Sequence, residues 1–227
     1  MSYFVLCLIC LLAVGVLLAN ILVTNKIPYI GFKWVLIGLF SFSMLRYFTL
    51  MVYYDTPSLS QLEVLRYFYL ATSIGLTIST ALTIWYITPH FRQKISEWKY
   101  LLFFSPWIIF YLYILITQPT DIVKSPNFGY SLVLIDNFNK YLSIAQGSFV
   151  IVIIILCFMG LATYKHPTLR SQYIFLIFAQ LVLTFDGLSI IKGINTRLLV
   201  PFTLTEIIGF IAIWYALKEK PLDMKKL

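Results

Sequence analysis

The sequence has little charge and few groups that could hold a metal or form a crosslink. Of its 227 residues 11% are charged, and it contains 2 histidines and 3 cysteines. A soluble globular domain carries roughly a quarter charged residues, so that class is excluded. His90 and His166 both flank prolines outside the apolar runs, so a zinc hydrolase embedded in a bilayer would lack its ligands. A serine or cysteine nucleophile would lack an adjacent base for the same reason. Cys7, Cys10 and Cys157 lie inside apolar runs, where they read as packing residues rather than a disulfide framework. Glycine-rich phosphate loops and a Walker-type lysine are missing. The last apolar run has no lysine at mid-span, only Lys218 at its end, which excludes an opsin-type retinal pigment. Neither an enzymatic activity nor a cofactor or metal is expected. No basic segment precedes the first apolar run and no small-residue cleavage site precedes Asn25 and Lys26, so that run is expected to stay as a span.

What is present is hydrophobic: 60% of the chain, with a mean hydropathy of +0.88. A spanning helix needs about 20 mostly apolar residues. Runs at about 3–24, 33–54, 62–88, 100–118, 139–163, 170–192 and 198–217 predict an all-α integral membrane protein, a bundle of seven transmembrane helices. Residues 218–227 form a basic tail. The third run is the weakest, because Arg66 and several Ser and Thr residues lower its hydropathy, although 67–87 carries no charge.

Lys and Arg set the orientation. With the N-terminus outside, the cytoplasmic segments hold Lys26 and Lys33; Arg92, Lys94 and Lys99; Lys165 and Arg170; and Lys218, Lys220, Lys225 and Lys226. The opposite segments hold Lys124, Lys140, Lys192 and Arg197, with Asp55, Glu63, Asp121 and Asp136 among them. The C-terminus is therefore expected in the cytoplasm. The net charge of +8 is spread between apolar runs rather than gathered on a soluble face, so the lipid bilayer accounts for it and nucleic acid does not. The longest loop, about 117–140, has turn chemistry at Pro126, Asn127 and Gly129 and is expected to be an ordinary external loop, with a short strand at Val133 to Ile135 as the alternative.

Apart from Lys33, Glu63, Lys140, Arg170 and Lys192 at the run ends, four charged residues fall within the runs: Arg46, Arg66, Asp186 and Glu206. A charge at mid-bilayer costs roughly 2.5–3.5 kcal/mol on insertion scales, so each should face the bundle interior or a cavity. At about 1.5 Å per residue, Arg46, Asp186 and Glu206 lie at one depth near the outer boundary. Gln146 and Gln180, with Thr203 and Thr205, add hydrogen-bonding groups. Arg46, Gln146, Asp186, Glu206 and Arg66 are the candidate ligand-binding residues of an outward-facing polar pocket; an interhelical salt bridge that fixes register is the structural alternative, and Arg66 could instead snorkel to the headgroups. Gly147 with Gly160, and Gly15 with Ala19, would permit close helix contacts, within the bundle or with a partner.

The second run, with Trp34, Ser41, Ser43 and Tyr47, Leu65-Arg66-Tyr67 at the third, Pro106 in the fourth, 165–172 before the sixth, and Leu199, Pro201 and Phe202 leading to Trp214-Tyr215-Ala216-Leu217 carry a resemblance. In their order and spacing they resemble the seven-transmembrane N-terminal sensor region of bacterial membrane histidine kinases, over nearly the whole chain. The chain holds no phospho-acceptor histidine helix and no ATP-binding motif. The resemblance thus implies a sensor or receptor-like input module in a bacterial plasma membrane, binding a small molecule or lipid and signalling to a cytoplasmic or membrane partner, with a homodimer left open. A small transporter or channel subunit and an accessory or immunity-type scaffold are the competing expectations.

Overall fold

A computed structural model describes residues 3–51, 58–68, 71–125, 129–191, 203–219 and 221. Its helices are α1 (Tyr3–Thr24), α2 (Ile30–Met51), α3 (Leu59–Arg66), α4 (Ala71–Ile87), α5 (Pro89–Lys94), α6 (Glu97–Phe103), α7 (Ser105–Thr117), α8 (Asp136–Thr163), α9 (Pro167–Ile191) and α10 (Thr203–Lys218). One antiparallel hairpin, β1 (Thr120–Ser125) and β2 (Gly129–Leu134), joins α7 to α8. Among the described residues α1, α2, α8 and α9 each contain a segment long and apolar enough to cross a membrane, and α6 with α7 makes a fifth if a 68° bend is one broken span. A multi-pass, all-α membrane protein follows.

Two runs are broken where the sequence reads as continuous. The third becomes α3 and α4, so the helix expected over 67–87 starts at Ala71. The fourth breaks at Phe104, because Pro106 lacks a backbone N–H and sits in the first turn of a new helix. The loop expected over 117–140 is largely a β-hairpin, Thr120 facing Leu134 and Ser125 facing Gly129 in register. The alternative expectation of a short strand at Val133 to Ile135 overlaps β2, which begins earlier and ends at Leu134.

α4 is the hub. It packs on α2 and α10, and also on α5 to α9, and of its side chains all but Ser73 and Thr77 are buried. Its Ala, Gly, Ser and Thr residues explain this, since small side chains let neighbouring backbones approach. A Cβ on Gly75 would lie 1.8 Å from Ser43 Oγ of α2, and one on Gly209 of α10 would lie 2.8 Å from Leu76. α1, α2, α4 and α10 close a ring in which each touches the next: α1 on α2, α2 on α4, α4 on α10, α10 on α1. α8 and α9 extend the bundle, α9 against α10.

The end of the bundle opposite the hairpin is pinned by neutral groups. Tyr29, Phe32, Trp85 and Tyr86 form one ring cluster with centroid separations of 5.4–6.5 Å, Phe32 stacked on Tyr86 and Tyr29 edge-on to Trp85 and Tyr86. Trp85 Nε1 donates to the Ile95 carbonyl at 2.9 Å, which holds the α5–α6 link under α4. The Thr88 and Tyr173 hydroxyls bond at 2.8 Å, and Gln172 Nε2 donates to the Ala216 carbonyl at 2.8 Å. Lys26, Lys33, Arg92, Lys94, Lys165, Arg170 and Lys218 flank the helix ends there.

Candidate functional site

Near the hairpin end, three helices of the ring converge on one buried carboxylate. Glu206 lies in the first turn of α10, where the helix dipole favours a negative charge, and Arg46 lies in the last part of α2. Arg46 Nη1 donates to Glu206 Oε1 at 2.7 Å, with both side chains 5% exposed. Thr72, the second residue of α4, donates to the same oxygen at 2.7 Å and also accepts from Arg46 Nη1. Tyr47 OH donates to Glu206 Oε2 at 2.8 Å. Each carboxylate oxygen is thus occupied, which is what a charge taken out of water requires.

Of the five candidate residues, Arg46 and Glu206 are brought together. Arg66 stands elsewhere: its Nη2 donates to the carbonyl of Gln118, the residue that ends α7 in a left-handed conformation at φ 48°. It ties the start of the third run to the root of the hairpin. Gln146 is half-buried on α8, a helix that packs on α9, α4 and α7. The backbone of Asp186 belongs to α9, while its side chain lies outside the described residues. Gln180 is buried on α9.

Thr72 and Tyr47 are the site residues that the sequence reading missed. Tyr47 adjoins Arg46, and Thr72 lies in the stretch whose Ser and Thr residues lowered the hydropathy, so the signal was present as a weakness rather than as a motif. Among the described residues no three His, Cys, Asp or Glu side chains cluster in a way that could hold a metal ion. The arrangement can bind an anion at Arg46, exchange a proton at Glu206, or lock three helices together. The chain matches no family model and no curated protein sequence.

Proposed function

We propose that this chain is a seven-span sensor or receptor-like membrane protein of the bacterial plasma membrane, with its N-terminus outside and α10 as the output element. In this reading α3 with α4 is the third span, α6 with α7 the fourth, and α10 the seventh. The basic residues at the end opposite the hairpin then face the cytoplasm.

The observation that carries the reading is the Arg46–Glu206 pair with Thr72 and Tyr47. It joins the last helix to α2 and α4 at the outer end, while α10 leads at its other end to the basic tail and a cytoplasmic or membrane partner. A small ligand or lipid that competes for Arg46, or that alters the charge on Glu206, would favour a different packing of α10. Thermal-shift screening against lipids, peptides and metabolites tests this, with Glu206→Gln and Asp186→Asn as controls. Stabilisation by one class, lost in the Glu206 control, is the expected result. If no class stabilises the protein and both controls respond as the wild type does, the pair is a static brace and the sensor reading falls.

A transporter or channel subunit is the second reading, favoured by buried polar residues beyond the ion pair: Asn20 and Thr24 on α1, and Ser79 and Thr83 on α4. Counterflow of a labelled solute in proteoliposomes would establish it and displace the sensor.

A further inference from the structure

Below the ion pair, the ring of α1, α2, α4 and α10 encloses a second polar layer. Ser79 belongs to it by helical register. Gly75 faces α2 at Ser43 and Leu76 faces α10 at Gly209, and Ser79 is four residues past the one and three past the other. It therefore lies on the stripe of α4 between those two helices. Thr72 is three and four residues before them on the same stripe, and its bonds to Arg46 of α2 and Glu206 of α10 show where the stripe points.

Asn20 enters from the diagonally opposite helix. Its Nδ2 donates to the Val16 carbonyl of its own helix and to the Phe210 carbonyl of α10, both at 3.0 Å. The depths agree. Ser79 is seven residues beyond Thr72, about 10 Å along α4, and Phe210 is four residues beyond Glu206 with its carbonyl directed onward, about 8 Å along α10.

Both residues are 0% exposed, and both carry an oxygen, Asn20 Oδ1 and Ser79 Oγ, with no hydrogen-bond partner among the described residues. More than nine in ten buried polar groups are hydrogen-bonded, to protein or to ordered water. We propose that Asn20 Oδ1 and Ser79 Oγ hold buried water in the core of this four-helix ring, a solvent site that joins α1 to α4 one layer below the ion pair. Water fits better than a cation, because the one carboxylate described nearby, Glu206, is already neutralised by Arg46. A buried water makes about three hydrogen bonds, which the two unpartnered oxygens and a neighbouring carbonyl can supply. The site does not depend on the sensor reading and would serve a transporter equally.

Water-edited solid-state NMR of the full chain in lipid bilayers tests it directly. Magnetisation from water should reach the Asn20 side-chain amide well before the methyls of Leu17, which is buried on the same face of α1. Ser79→Ala should slow that transfer at least twofold. Equal build-up at Asn20 and Leu17 in the wild-type protein overturns the proposal. Thermal unfolding gives a second reading: Asn20→Ala and Ser79→Ala together should lower Tm by clearly less than the sum of the two single losses, since either change unseats the same water. Strictly additive losses also count against it.

Discussion

The two ends of the bundle hold the same central helix by different physics. At the hairpin end α4 meets its neighbours through a charged pair and two hydroxyls; at the opposite end it is fixed by stacked rings and neutral hydrogen bonds. Ring packing depends on shape and changes little with ligand or proton. A buried ion pair depends on both charges being present, so removing either leaves the other uncompensated. The hairpin end is therefore the end at which a ligand could alter the packing, with the opposite end as the fixed reference.

The largest effect is expected from Glu206→Ala, which removes the carboxylate that Arg46, Thr72 and Tyr47 all bind. A loss of about 3–5 kcal/mol is expected from breaking a buried pair on one side only, measured by unfolding in bicelles. Arg46→Met combined with Glu206→Leu should recover most of it. A single-variant loss under about 1 kcal/mol would mean that water already reaches the pair and that the two ends do not differ in kind.

The four-residue site around that pair was half legible in the sequence. Arg46 and Glu206 stood out because charges inside apolar runs are rare, and depth counting placed them at one level. Thr72 and Tyr47 did not, since a threonine or tyrosine within a span is unremarkable until its neighbours are known. The fold follows the same division. α1, α2, α8 and α9 coincide with runs of clear hydropathy, whereas α4 looked weakest because a helix surrounded by protein need not be apolar towards lipid. The breaks at Phe104 and before Ala71, and the hairpin at Thr120–Leu134, depend on local backbone geometry that hydropathy does not record.

At the opposite end the expected effects are smaller and come from shape. A Cβ on Gly160 of α8 would lie 2.3 Å from the ring of Tyr173, a fully buried side chain whose hydroxyl is held by Thr88. Gly160→Ala should cost roughly 1–3 kcal/mol, the range for overpacking a filled core, because the ring cannot move without giving up that bond. Trp85→Phe keeps most of the stacking and removes the bond to Ile95. Its expected cost is about 0.5–1.5 kcal/mol, with faster proteolysis of the α5–α6 link as the local sign. If Trp85→Phe proved costlier than Glu206→Ala, the neutral end would be the more fragile one and the comparison would reverse.

The smallest effect is expected at Gly15, and it bears on assembly. A Cβ added to Gly15 or to Gly147 would meet nothing within 4 Å, unlike one on Gly160, so of the glycines noted for close contacts only Gly160 is used inside the bundle. On α1, Gly15 is exposed beside Leu11, Leu12, Leu18 and Leu22, a face that neither α2 nor α10 covers. Against lipid alone, Gly15→Ala removes backbone freedom and should be neutral or stabilising by up to about 1 kcal/mol. Against a second copy of the chain, the added methyl would push two helices apart. Unfolding of this variant at several protein-to-detergent ratios separates the cases: an unchanged or raised Tm at every ratio places the face in lipid, and a lowered Tm that tracks dilution places it in a homodimer.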